Sequence, residues 1–495
     1  MWYLTFTLIH RCGRIQCERT YTEVRMTGEN GAAKLERIPT KTDIVVKWMK
    51  FAVVLASVAA YGIYIWGKKM NLNFETVFLP ALTWAFFSAV LIAAMPKIIR
   101  TLCGRTEYPR PLGCDYSKNF WRVVLIALGI RVVSTIIGMI VFKLINPTFS
   151  EDLLSLWRTA WMKENNDGQH YLNIAENWYV NEGNDKLLIV FFPMFPVLIR
   201  IFNFVIGNSF VSAQVINTIA ECLACGMLFK VFADFMDERR AKFGAIIAVL
   251  LPGAVFMNSA MTEPLFILLS ACCLYFAGRE RFLLAGLFAA LSGFTRSVGI
   301  LLVIPIAMEG IRAIVYDRKN GYIIWKRILV VAAALVISTL GTLAYLGINY
   351  QVSGNPLIFT VYQKMNWSQG IGLFYDTPRY MFVQLNSWIV QKNWVGVAAL
   401  WLPSLLVIFG SLALYFKEAK RMPASHTAYF LSYYVITIGC TWLLSAVRYM
   451  AAAIPLIGVI GLSCKTKAKT IIIYAAAVLV YLLWIGFYMA RTQLY

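Results

Sequence analysis

Apolar residues run in stretches close to twenty long, separated by short polar connectors. Examples are FAVVLASVAAYGIYIW (51–66), VVLIALGIRVVSTIIGMIVF (123–142) and ILVVAAALVISTLGTLAYLG (328–347). A helix needs roughly 20 such residues to cross a bilayer. In hydrocarbon the backbone must satisfy its own hydrogen bonds, which leaves helices or closed barrels. The short alternating segments of a barrel are not present. The pattern predicts an all-α polytopic membrane protein.

Charge sets the topology. Charged residues make up 14% of the chain, against about 25% in soluble domains, yet the net charge is +21. No basic patch with stacking aromatics lies on a soluble domain, so nucleic acid is not an expected partner. Lysine and arginine instead concentrate in the connectors, as the loop-charge rule expects of cytoplasmic segments. Basic connectors near 97–122, 237–242, 278–281, 317–327, 417–421 and 465–469 are read as inside. Segments 146–186, 258–264, 294–299, 350–390 and 445–450 then fall outside.

This assignment divides the chain. Residues 1–43 form a cytoplasmic N-terminal segment, and Met26 is a candidate second start that would make 1–25 a start-site artefact. No cleavable signal peptide is evident, because the charged run RCGRIQCERTYTEVR follows at once. Residues 44–99 form a transmembrane hairpin and 100–119 a cytoplasmic linker. Residues 120–495 form the main membrane module, with its large outer loop at 146–186. Parity requires an odd number of crossings between Lys186 and Arg239, although two apolar runs lie there. The first, FFPMFPVLIRIF (191–202), carries Pro193 and Pro196 and is therefore read as a broken, re-entrant or interfacial piece. The count becomes about 13 crossings, with short runs such as 282–295 as candidate half-helices.

None of the ten cysteines lies in an outer connector, so no disulfide framework is implied. Cys222 and Cys225 form a CxxC inside an apolar run, where packing is the natural role.

The polar stretch WMKENNDGQHYLNIAENWYVNEG (161–183) interrupts the oily pattern. After Gly168, apolar residues recur at Tyr171, Ile174, Ala175 and Trp178, the spacing of an amphipathic helix lying on the outer surface. Asp167 opens that helix, either as its cap or as a general base facing a cavity. His170 follows one turn on, as a substrate contact or an ordinary interfacial residue. Asn165 and Asn166 offer hydrogen bonds to hydroxyls. Arg296 in GFTRSVG and Arg448 in SAVRYMAAAIP sit where lipid phosphates lie, suited to bidentate phosphate contacts or to snorkelling. Glu263, before Pro264, is either a normal helix start or a member of the same polar face. Loop 350–390 mixes aromatics with amides, as sugar sites and membrane interfaces both do. Walker, HExxH, Rossmann and DxD patterns are missing; neither a metal nor a cofactor is expected.

In order along the chain, NDGQHYLNIAENWY, FFPMFP, LLPGAVFMNSAMTEPLFILL, GFTRSVGI, YQVSGNPLIFTVYQ and SAVRYMAAAIP resemble the PIG-V (GPI mannosyltransferase 2) family and its prokaryotic relatives. The resemblance covers about residues 120–463. It implies a GT-C-like bundle whose outer loop carries interfacial helices. It also implies inverting transfer of a sugar, typically mannose, from a polyprenyl phosphate to a glycolipid, polymer or protein. The acidic residue of the first large outer loop is the family's catalytic base, and Asp167 matches it. The family commonly has Trp just before that position; Asn166 stands here. Arg296 and Arg448 match contacts to the donor phosphate. The membrane would be the plasma membrane of a prokaryote or the endoplasmic reticulum of a eukaryote. A transporter or lipid flippase is the rival class. It requires charges near the bilayer midplane, and Arg131 and Lys143 are the charges inside apolar runs that bear on it.

Overall fold

The computed structural model describes residues 24–27, 34–37, 41–68, 74–104, 115–162, 167–441 and 443–492. Among these residues every regular element is helical except a short antiparallel hairpin, β1 (Val24–Thr27) and β2 (Lys34–Arg37). Four residues per strand are too few for an alternating pattern to register in the sequence.

In chain order, the helices are α1 (Lys41–Lys68), α2 (Leu79–Leu102) and α3 (Tyr116–Ile145), all long and apolar. The outer segment folds as α4 (Leu153–Trp161), α5 (Asp167–Asn177) and a 3-10 turn at Asp185–Val190, followed by α6 (Met194–Ile206). α7 (Ser209–Phe232) leads to α8 (Glu238–Ile247), which breaks into 3-10 turns at Ala248–Leu250 and Pro252–Asn258 before α9 (Glu263–Ala277). Then follow α10 (Phe282–Thr295), a 3-10 turn at Ser297–Leu302, α11 (Val303–Lys319) and α12 (Trp325–Ser353). Loop 350–390 contains α13 (Ile358–Trp367) and α14 (Thr377–Val390). The chain closes with α15 (Trp394–Gly396), α16 (Leu402–Glu418), α17 (Ala424–Ile438), α18 (Ala446–Ala451), α19 (Ile454–Ser463) and α20 (Lys467–Met489).

Among the described residues, eight helical stretches are long and apolar enough to cross a membrane, or nine if the bent pair Glu238–Leu250 and Pro252–Asn258 counts as one span. This is an integral membrane protein; about 13 crossings were expected, with short runs such as 282–295 as half-helices, and the full-length spans among the described residues are fewer. The shortfall has a length reason: α6, α9, α10 and α19 hold 10–17 residues each. At 1.5 Å per residue, the 13 residues of α6 cover about 20 Å of a hydrocarbon core roughly 30 Å thick. α6 is thus a partial element, as its prolines suggested, and α7 is the spanning helix beside it.

The basic connectors gather at one end of the bundle. Lys97 Nζ donates to the Met422 carbonyl at 2.7 Å, Lys319 Nζ to Cys103 O at 2.6 Å and Arg239 Nη2 to Lys465 O at 3.0 Å. Arg279 pairs with Asp234 at 2.7 Å, while Arg312 and Arg327 share Glu280 at 3.0 and 2.9 Å. α12, about 43 Å long at this rise, carries the chain to the opposite end. There Tyr345 donates to the Ile189 carbonyl at 2.7 Å and stacks on Phe192 at 4.0 Å.

Candidate active site

Four chain segments meet at the end remote from the basic connectors. The first is α5, the predicted amphipathic helix. It buries Tyr171, Leu172, Ile174 and Ala175. The Tyr171 ring meets Phe191 at 5.3 Å and Phe195 at 5.6 Å. This apolar seat fixes the start of the helix, where Asp167 stands.

The second segment is the break after α8. Its two halves bend by 67°, because Pro252 cannot continue the helical hydrogen bonding. Gly253 lets α18 close on the turn: a Cβ there would stand 2.6 Å from the Val447 carbonyl. Beyond the turn the chain restarts as α9 at Glu263. The third segment is the end of α10, where Arg296 leaves the helix with an extended backbone (φ −152°, ψ 147°). The fourth is α18, six residues long, which carries Arg448.

Their charged side chains form one connected quartet. Arg448 Nη1 donates to Asp167 Oδ2 at 2.6 Å, and Arg448 Nε to Glu263 Oε1 at 2.6 Å. Arg296 Nη1 donates to the same Glu263 Oε1 at 2.6 Å and to Thr262 Oγ1 at 3.0 Å. Two guanidinium groups and two carboxylates balance, which burial in an apolar setting demands. Exposure differs among the four: 1% for the Glu263 side chain, 6% for Arg448, 15% for Arg296 and 32% for Asp167. Asp167 is therefore the carboxylate that meets solvent, and among the described residues no hydrogen bond reaches its Oδ1.

The two arginines differ. All three Arg448 nitrogens are engaged, since Nη2 also faces Met261 Sδ at 3.3 Å. Among the described residues Arg296 uses Nη1 alone, which leaves donors on Nε and Nη2. The Tyr449 ring packs against both cations, 5.2 Å from Arg296 and 5.9 Å from Arg448. Among the described residues, the buried Glu263 Oε2 has no hydrogen-bond partner.

Asp167, Glu263, Arg296 and Arg448, singled out in the sequence, thus come together. Glu263 does open α9, yet its carboxylate turns to the arginines. His170 is not hydrogen-bonded to the quartet; its ring lies 4.9 Å from Phe191. Burial lowers its pKa, against the pull of Asp167 and Asp185. Asn165 and Asn166 lie outside the described residues. Met261, Thr262 and Tyr449 were missed, although each adjoins a named residue inside a quoted motif. Among the described residues no three His, Cys, Asp or Glu side chains converge as a metal set. Beside α18 opens an apolar groove of about 190 Å³, lined by residues including Leu251, Pro252, Leu406, Val447 and Met450.

No family model matches the chain. Over 254 residues it is 23% identical to GPI mannosyltransferase 2 of Yarrowia lipolytica, a match covering 49% of this chain and 64% of that protein. The chain thus spans less than two thirds of that relative. This distant match agrees with the resemblance read from the motifs. In fold the chain is similar to ArnT from Cupriavidus metallidurans, solved bound to undecaprenyl phosphate. The TM-score is 0.45 at 13% identity, covering 73% of this chain and 75% of that one. It is also similar to the oligosaccharyltransferase AglB from Archaeoglobus fulgidus, solved with an inhibitory peptide and a dolichol-phosphate. There the TM-score is 0.40 at 13% identity, covering 74% of this chain and 56% of that one.

Proposed function

We propose that this chain is a membrane glycosyltransferase that moves a sugar from a polyprenyl-phosphate donor to an acceptor hydroxyl on the non-cytoplasmic face. The observation that carries the reading is the quartet: a solvent-facing carboxylate held by a buried arginine, beside a second arginine with donors to spare. The distant similarity to a mannosyltransferase supports mannose as the sugar. The apolar groove beside α18 suits isoprene units of a donor entering from the bilayer. The acceptor is a glycolipid, a polymer or a protein.

In this mechanism Asp167 Oδ1 takes the proton of the acceptor hydroxyl. The freed oxygen attacks the anomeric carbon as the carbon–oxygen bond to phosphate breaks, and the configuration inverts. The phosphate leaves as an anion, so it needs no strong acid. Arg296 Nε and Nη2 face the charge that grows on it, and such preorganised donors stabilise the transition state more than the ground state. Arg448 aims Asp167, and Glu263 keeps the two guanidinium groups in register. Holding nucleophile and donor at near-attack distance supplies much of the remaining rate.

The test is transfer from a labelled polyprenyl-phosphate mannose by the full chain in lipid nanodiscs. Asp167→Asn should lower turnover about 100- to 10,000-fold, the range for a general base, while the donor still binds. Wild-type turnover in folded Asp167→Asn would remove the base. Failure of the native chain to transfer from any polyprenyl-phosphate sugar would remove the function.

A further inference from the structure

Arg131 was noted in the sequence as a charge in the middle of an apolar run. It is 3% exposed and pairs with Glu221, 4% exposed, at 2.7 Å. The pair lies on facing sides of α3 and α7. Its surroundings are polar in a regular way: Arg131, Ser134 and Thr135 share one face of α3, and Gln214, Asn217 and Glu221 share one face of α7.

Both faces point at the same stretch of irregular backbone. Arg131 Nη1 donates to the Met257 carbonyl as well as to Glu221, and Nη2 donates to Gln214 Oε1 at 2.7 Å. Gln214 Nε2 donates to the Asn258 carbonyl at 3.1 Å, and Asn217 Nδ2 to the Ser259 carbonyl at 2.7 Å. The Asn258 side chain accepts from Ser134 at 3.1 Å and donates to Tyr481 at 2.8 Å. The carbonyls of Met257 and Asn258 end the 3-10 turn and that of Ser259 follows it, so no continuing helix supplies their partners. Within a membrane such groups persist only where protein satisfies them, and here side chains of α3 and α7 do so.

The same stretch borders the quartet on two sides. Ser259 Oγ donates to the Trp161 carbonyl at 2.7 Å, as does Tyr488 OH at 3.0 Å. Trp161 ends α4, and a Cβ on Gly168, next to Asp167, would stand 3.2 Å from the Ala260 carbonyl, so the stretch also packs on the start of α5. On the other side, residues 259–262 run directly into Glu263, and Met261 touches Arg448. The segment therefore spaces Asp167 from Glu263.

We infer that Arg131 and Glu221, together with Gln214, are positioning residues that brace residues 257–262 and so set the Asp167–Arg448–Glu263 geometry. The inference rests on the glycosyltransferase reading for its catalytic consequence, though not for the brace itself. It also gives this buried charge a fixed partner and a local task.

The experiment replaces the pair together, Arg131→Met with Glu221→Met, because removing one partner would strand a buried charge. Two measurements are made on the full chain in nanodiscs. Hydrogen exchange of the amides of 257–263 should rise about tenfold, while exchange in the other helices stays as in wild type. With a labelled polyprenyl-phosphate sugar, kcat should fall about 100-fold, as misplacement of about 1 Å can cause, with donor KM within about threefold. Arg131→Lys should recover part of kcat, since it keeps the charge but not the fork. Gln214→Leu, a milder change for folding, should show the same kcat-selective loss at about tenfold. A folded pair variant, or Gln214→Leu, with wild-type exchange and kcat overturns the brace. So does exchange that rises equally throughout the helices. If the native chain transfers no sugar, the function reading fails, and the exchange data still decide the brace.

Discussion

Arg448 and Asp167 stand 281 residues apart in the chain, yet Nη1 of the first donates to Oδ2 of the second at 2.6 Å. The same guanidinium uses Nε on Glu263 at 2.6 Å. One planar fork therefore fixes two carboxylates of different exposure, one buried and one facing solvent. Lysine has three donors but no fixed plane, so it cannot hold both oxygens in this arrangement.

Arg448→Lys should accordingly lower kcat/KM about 100-fold, near 2.7 kcal/mol at 1.36 kcal/mol per decade. On the proposed function, Arg296→Lys would keep a cation where the donor phosphate binds and should cost about tenfold, mainly in donor KM. Initial rates against donor concentration separate the two. Equal effects of both substitutions on kcat would contradict the division of labour between aiming and anion contact.

Glu263 bridges both arginines with one oxygen and is 1% exposed. Glu263→Gln retains the shape and removes the charge, leaving two buried cations with only Asp167 to balance them. Breaking a buried pair costs about 3–5 kcal/mol, so a clear drop in melting temperature should accompany loss of turnover. Thermal unfolding in detergent, followed by intrinsic fluorescence, measures it. An unchanged melting temperature would mean that the bridge contributes nothing to folding.

The sequence carried the helical class, the amphipathic helix after Gly168 and the short helix at FFPMFP, since each has a local cause. Asp167, Glu263, Arg296 and Arg448 were legible as ionisable residues at the ends of apolar runs. Their mutual wiring was not. Glu263 meets arginines 33 and 185 positions away, and no local pattern encodes such a distance. Its place before Pro264 also reads as an ordinary helix start, which concealed the bridge. Among the described residues the full-length spans number fewer than about 13 because α9 and α19, like the expected half-helix α10, are apolar but stop short.

Sidedness gives a third test. Tyr322, beside the basic end of α12, and Asn355, just past its other end, are both exposed. On the loop-charge rule the basic end is cytoplasmic. An impermeant maleimide should label Asn355→Cys in intact cells, and Tyr322→Cys only after permeabilisation, each above the background of the parent chain. The reverse pattern would put the quartet on the cytoplasmic side and exclude a donor arriving from the outer leaflet.

His170 supplies a pH signature. Its ring packs on Phe191, and burial holds its pKa below the ordinary 6.5, outweighing the upward pull of Asp167 and Asp185. The unfolded chain therefore binds a proton at His170 more readily than the folded one. The stability that the neutral ring contributes is complete above about pH 6.5. It declines as pH falls from there toward the lowered folded value, because protonation then favours the unfolded state. His170→Gln removes this dependence and leaves every other titration in place. Between about pH 7 and pH 5, wild type should lose more melting temperature than His170→Gln, and the gap between them should narrow or invert. Parallel melting curves across that range would mean that the imidazole is as free to take up a proton in the folded protein as in the unfolded chain, and the packing against Phe191 would then not hold in solution.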